Sequence, residues 1–189
     1  MNTILSPLRT VLLLAAAGLS LGVTTVTPLH AETPAPALTD TPKDATKAFY
    51  DILIKHKVSG LPTKEAWKDL QPRLSAKLIS LLEAARAEQA AFMKKNPDEK
   101  PPFIEGDLFS SLFEGPQTHS EGEARISGTT AEVPVNFTYT EGGSTTKWTD
   151  TLLLIKGPGG HWLVSDVRYG GGWDFAPKGT LSERLMARE

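Results

Sequence analysis

Apolar residues recur at helical spacing through the first part of the folded chain. Ala45, Ala48, Phe49, Ile52 and Leu53 fall on one face of a helix that Thr41 caps, with Pro42 at its first position and Asp44 in its first turn. The spacing carries this helix to about Lys57. Gly60 and Pro62 break the chain, Thr63 caps a short helix bearing Trp67 and Leu70, and Pro72 interrupts again. Ser75 starts the longest helix, in which Leu78, Leu81, Leu82, Ala85 and Phe92 form an apolar stripe that ends at Asn96-Pro97. Residues 97–102 read as a solvated loop and 108–113 as a short helix.

After Gly115 the period changes to two. Ala131, Val133, Val135, Phe137 and Tyr139 alternate with Glu132, Asn136 and Thr138, which is the strongest strand signal in the chain. Glu141-Gly142-Gly143 makes a turn, residues 145–156 a second strand, the glycines from Gly157 to Gly160 another turn, and residues 161–169 a third strand. Residues 117–126 supply a preceding strand. Turns this short join antiparallel neighbours, so the expected architecture is α+β: N-terminal helices packed on a curved antiparallel sheet of about four strands.

The first 31 residues read as an export signal. Arg9 is the positive n-region, residues 11–19 the apolar core, and Leu29-His30-Ala31 ends in the small residue a signal peptidase requires, so cleavage is expected after Ala31. Ser20, Gly22, Thr24, Thr25, Thr27 and Pro28 dilute the second half and argue against a retained membrane span. Residues 32–41, rich in Pro, Ala and Thr, form a flexible leader. Residues 42–176 form one domain and 177–189 a C-terminal tail. The compartment is then periplasmic or extracellular, with no stable membrane anchor after cleavage.

The stretch from GTTAEVPVNFTY through KWTDTLLLIKGPGGHWLVSDVRY resembles the sheet of the nuclear transport factor 2-like superfamily, a cone-shaped cystatin-like fold. With the KAFYDIL helix and the PRLSAKLISLLEAA segment, it is similar to the exported bacterial family DUF3828, which includes lipoproteins. The resemblance spans about residues 41–169 and implies a pocket between sheet and helices. Its lipoprotein members carry an acylated Cys, and this chain of 189 residues has no Cys at all.

Composition narrows the chemistry further. Twenty Lys and Arg against 22 Asp and Glu leave a net charge of −2, and losing Arg9 with the signal makes it −3, so no basic excess favours nucleic acid as a partner. Zero Cys excludes disulfides, thiol catalysis and thiolate metal sites. His56, His119 and His161 are isolated in sequence and form no zinc motif, there is no G-x-S-x-G elbow, and the glycines match neither a Walker A loop nor a dinucleotide fingerprint. The sequence therefore calls for no catalytic set, metal or cofactor.

Carboxylates and aromatics remain. Asp107, Asp150 and Asp166 lie beside apolar residues, where desolvation could raise a carboxyl into the range of a general base; the simpler reading makes them structural. Strand parity puts Trp148 and Asp150 on one face with Leu152 and Leu154, and Trp162 on one face with Val164, Asp166 and Arg168. Trp162 reads as core, whereas Trp173 in the segment YGGGWDFAP stands between core and contact residue. Trp148, Asp150, Asp166, Tyr169 and Trp173 are the candidate binding residues. They fit an exported, non-catalytic domain that binds an envelope protein or a small ligand through its sheet pocket or C-terminal aromatic loop. The alternatives are a small hydrolase or isomerase using a pocket carboxylate, and an immunity or inhibitor protein.

Overall fold

A computed structural model describes residues 41–187; the expected export signal and most of the leader lie outside the described residues. The first helix, α1 (Pro42–Lys55), has the expected start, because the Thr41 hydroxyl accepts the Asp44 amide at 3.1 Å. It buries Ala45, Phe49, Tyr50 and Leu53. Helix α2 (Lys64–Leu70) is capped by Thr63, and α3 (Ala76–Lys95) by Ser75. Both caps satisfy amides that the first turn leaves without carbonyl partners.

An open antiparallel sheet follows, made of β1 (Thr118–Glu121), β2 (Arg125–Ser127), β3 (Thr130–Glu141), β4 (Ser144–Lys156) and β5 (Trp162–Arg168). Its order is β1-β3-β4-β5, with β2 also on β3. The architecture is the α+β one read from the sequence. β3 and β4 join through Gly142 and Gly143, whose φ angles of +56° and +83° suit the tight hairpin and are readily adopted only by glycine. Ala131, Val133, Val135 and Phe137 of β3 meet Leu154, Leu152, Asp150 and Trp148 of β4 on the buried face. Against them packs α1, with the Tyr50 ring 4.9 Å from Phe137 in an edge-on contact.

Four local expectations change. The strand expected over 117–126 is two strands, because Pro134 has no N–H to continue the ladder: β1 pairs with residues 135–138, β2 with 130–132, and the Gly122 amide turns to the Pro134 carbonyl. The sheet thus has five strands rather than four.

The parity expected from Trp162 to Arg168 breaks at a bulge. Leu154 pairs with Val164 but Leu153 with Asp166, leaving Ser165 as the extra residue, its hydroxyl donating to the Leu153 carbonyl at 3.0 Å. Val167 and Tyr169 therefore join Trp162 and Val164 inside, while Asp166 and Arg168 turn to the wetter face, where Arg168 pairs with Glu132 at 3.0 Å.

Residues 108–113 form no helix, since the Asp107 carboxylate takes the Phe109 amide at 2.5 Å and holds the chain in a side-chain-capped turn. The expected tail, 177–189, contains helix α4 (Leu181–Met186) with a Thr180–Glu183 capping box. Leu181 and Leu185 anchor it in the core.

Candidate functional site

The space between helices and sheet is occupied by the chain's own loop, residues 106–115. Leu108, Phe109, Ser110, Ser111 and Leu112 are buried there. A loop brings polar backbone into an apolar interior, and each carbonyl or amide left without a partner would cost about 1–3 kcal/mol. Distant elements supply the partners. The Tyr169 hydroxyl donates to the Leu108 carbonyl at 2.6 Å, the Tyr50 hydroxyl to that of Phe109 at 3.2 Å, and Arg184 to that of Asp107 at 3.1 Å. Burial pushes the Tyr169 phenol up to about 12, so it remains a donor at any physiological pH. Replacing Tyr169 with phenylalanine should cost about 1–2 kcal/mol in urea unfolding by orphaning the Leu108 carbonyl; an unchanged midpoint would mean that the loop is held elsewhere.

Asp150 is the hub of this arrangement. It is 1% exposed and accepts four hydrogen bonds: from the Ser111 amide at 2.8 Å, the Ser111 hydroxyl at 2.5 Å, Trp148 Nε1 at 3.1 Å and the Gly170 amide at 2.8 Å. Burial pushes its carboxyl above the usual Asp range, and the four donors pull the other way. The Ser111 hydroxyl oxygen in turn accepts the amides of Gly170 and Gly171 at 3.1 and 3.0 Å. One carboxylate and one hydroxyl thereby tie β4, the inserted loop and the start of the 170–176 segment together.

An aromatic row continues from that hub to the surface. Trp148 packs against Phe137 in a tilted contact with ring centres 5.3 Å apart, Trp173 meets Trp148 edge-on at 6.0 Å, and Phe175 lies 6.0 Å from Trp173. Trp148 is buried, Trp173 half-buried and Phe175 80% exposed. Of the candidate residues, Trp148, Asp150 and Trp173 thus meet, and Tyr169 holds the loop they pack against. Asp166 stands apart, with its Oδ1 accepting the Val167 and Ser182 amides at 2.9 Å, the latter at the start of α4.

Two further carboxylate sites stand apart from this row, the first at Asp107, which the sequence offers as a general-base candidate, and the second around His119, which it does not announce. Asp107, 9% exposed, is pushed up to about 6 by burial, against the pull of its Phe109 and Ser110 hydrogen bonds. It lies on the wall of a cleft of about 400 Å³ with Leu53, Lys57, Val58, Glu114 and Gln117. His119 sits between Glu121, 2.6 Å from Nδ1, and Asp51, 3.2 Å from Nε2, beside the Tyr50 ring. Asp51 comes from α1, 68 residues away, so nothing in the local sequence around His119 announces the cluster.

The fold and site thus define an α+β domain whose sheet and helices close over an inserted loop, with an aromatic row leading outward. YbjP of Escherichia coli (strain K12), an uncharacterised lipoprotein, is similar to this chain, 29% identical over 170 residues that cover 87% of the chain and 89% of YbjP. No protein-family model matches the chain, and no solved structure matches it. Among the described residues no helix is long and apolar enough to cross a membrane.

Proposed function

We propose that this chain is an exported envelope protein of the DUF3828 type, built on the nuclear transport factor 2-like cone, and that it acts as a non-catalytic binding module. Export rests on the N-terminal signal read from the sequence, with cleavage after Ala31, and on the similarity to a lipoprotein. The absence of Cys leaves no residue for lipid attachment, which favours a periplasmic or secreted protein. Its partner is an envelope protein or a small ligand, and its contact surface is the 170–176 segment.

The observation that carries this reading is the exposed Phe175 at the end of the row from Trp148 through Trp173, on a segment whose base is fixed by Asp150 and Ser111. A large apolar side chain held out on a rigid base supplies anchor area with little entropy left to lose on binding. The inserted loop supports it further, since the interior that an enzyme of this fold class would use for substrate is filled. Crosslinked capture from native envelopes with tagged wild type and with Phe175→Ala tests it. Phe175 is exposed, so the variant should fold with stability unchanged within about 0.5 kcal/mol. The expected result is a partner retained by wild type and reduced at least about tenfold in the variant; equal capture by both would overturn the reading.

A second reading, a hydrolase or isomerase with a carboxylate base, rests on Asp107 in its cleft, where a carboxyl near 6 is matched to proton transfer. Asp107→Asn would abolish such an activity while leaving envelope capture intact.

A further inference from the structure

The β3–β4 hairpin runs past the rest of the sheet. β3 and β4 stay paired out to Glu141 and Ser144, whereas β5 covers β4 only from Thr151 to Lys156. On the β3 side the projecting arm is closed by a single residue. The Gln117 amide donates to the Thr138 carbonyl at 2.9 Å, its side-chain nitrogen donates to the Thr140 carbonyl at 3.0 Å, and its side-chain oxygen accepts the Thr140 amide at 2.9 Å. Gln117 imitates the next strand there.

On the β4 side no such residue is found among the described residues. An antiparallel ladder turns the N–H and C=O of every second residue outward. The Leu153 carbonyl, which accepts the Ser165 hydroxyl of β5, sets the parity. The outward groups beyond β5 are then those of Thr149, Lys147 and Thr145, and all three residues are exposed. Gly170 lies so close to the Thr149 carbonyl that a Cβ there would collide with it, so this one carbonyl is covered. The Thr149 amide and both backbone groups of Lys147 and Thr145 are left with no hydrogen-bond partner among the described residues. Water can satisfy them, as at any sheet edge, and a strand can satisfy them better.

We propose that this edge docks an extended segment of a partner protein, which pairs with residues 145–149 as a further strand of the sheet; the proposal rests on the binding-module reading and names the form the partner takes. Main-chain pairing would supply affinity, and the alternation of side chains along the edge would supply selectivity. Lys147 stands on the outer face between Thr145 and Thr149, while Trp148 stands on the inner face next to Trp173, which in turn meets Phe175. A complementary segment carries an acidic residue facing Lys147 and, one position to either side of it, apolar residues that reach the aromatic row. A second copy of this chain fits less well. Antiparallel pairing of two such edges centred on Lys147, the register that uses both backbone groups of Lys147 and the Thr149 amide, sets two ammonium groups opposite each other. A lone lysine on an open edge also discourages indiscriminate pairing, so the partner must bring the compensating charge.

The test is to pan a displayed library of random nine-residue peptides on the full chain and to measure the enriched peptides, fluorescein-labelled, by anisotropy. Enriched sequences should alternate apolar residues around a central Asp or Glu, and their binding should slow amide exchange at Thr145 and Lys147. Lys147→Pro removes an N–H that the sheet does not use and blocks close approach, so affinity should fall by at least about tenfold. Lys147→Glu leaves the backbone intact, guards against a folding defect in the proline variant, and should shift the selected central residue from acidic to basic. The proposal is overturned by a library that yields no binder, by peptides that bind both Lys147 variants as tightly as wild type, or by a wild-type dimer that Lys147→Pro makes monomeric. Envelope capture lost in Phe175→Ala but unchanged in both Lys147 variants overturns strand addition and leaves the aromatic-loop reading standing. The reverse pattern supports strand addition and overturns that reading.

Discussion

Asp150→Ala is expected to destabilise the domain by about 4 kcal/mol, the largest effect of any single substitution considered. The carboxylate accepts from Ser111 twice, from Trp148 Nε1 and from the Gly170 amide in a site that is 1% exposed. Truncation takes this acceptor from the Ser111 amide, the Ser111 hydroxyl and Trp148 Nε1, each loss costing about 1–3 kcal/mol, while the Gly170 amide keeps the Ser111 hydroxyl oxygen at 3.1 Å; it also opens a cavity at the junction of β4, the 106–115 loop and the 170–176 segment. Because Ser111 and Asp150 share partners, their effects should not add: in a double-mutant cycle, Ser111→Ala should cost markedly less in the Asp150→Ala background than in wild type. Urea unfolding of the four proteins measures this. A cost for Asp150→Ala below about 1 kcal/mol would mean that water replaces the carboxylate and that the junction is wet.

Asp107→Asn should have the opposite sign. The Asp107 carboxyl is raised from an ordinary 3.8 to about 6 by burial, so the folded state holds its proton more tightly than the unfolded chain does. The stability this contributes is fully present below about pH 3.8 and is lost as pH rises through about 6; above that, the buried carboxylate costs about 3 kcal/mol relative to its protonated form. Asparagine keeps an oxygen for the Phe109 amide and never ionises. The variant should therefore match wild type near pH 4 and exceed it by up to about 3 kcal/mol at pH 7.5. Asp51 is lowered by its hydrogen bond with Lys47, Asp69 by those with His56 and Lys55, and Glu132 by that with Arg168; these pull the wild-type profile the other way, so the informative quantity is the difference between the two proteins at each pH. A difference independent of pH would show that Asp107 is not the group responsible.

These two acids also show how far reading the chain goes. Asp150 was placed correctly by strand parity beside Trp148, Leu152 and Leu154, because β4 runs without interruption through those positions. Asp166 was placed wrongly by the same rule, since the bulge at Ser165 lies between it and Trp162 and a bulge has no signature in the alternation itself. Asp107 was visible as an acid among apolar residues, but whether it would be buried depended on where its loop went.

What the amino-acid order determined by itself was everything that adjacent residues decide. Thr41, Thr63 and Ser75 cap the helices that follow them, Gly142 and Gly143 make the hairpin, and the alternation from Ala131 to Phe137 assigns the inner face of β3. Such features need only the intrinsic preferences of a few neighbours and a fixed period. The tertiary structure decided the rest. It seats the 106–115 loop in the interior, docks α4 on the core through Leu181 and Leu185, and makes Asp150 a junction rather than an isolated strand acid. Those outcomes depend on partners 39 residues apart for Ser111 and Asp150, 61 for Leu108 and Tyr169, and 77 for Asp107 and Arg184. A buried carbonyl takes whichever donor the packed chain brings within reach, and local periodicity carries no information about which one that is.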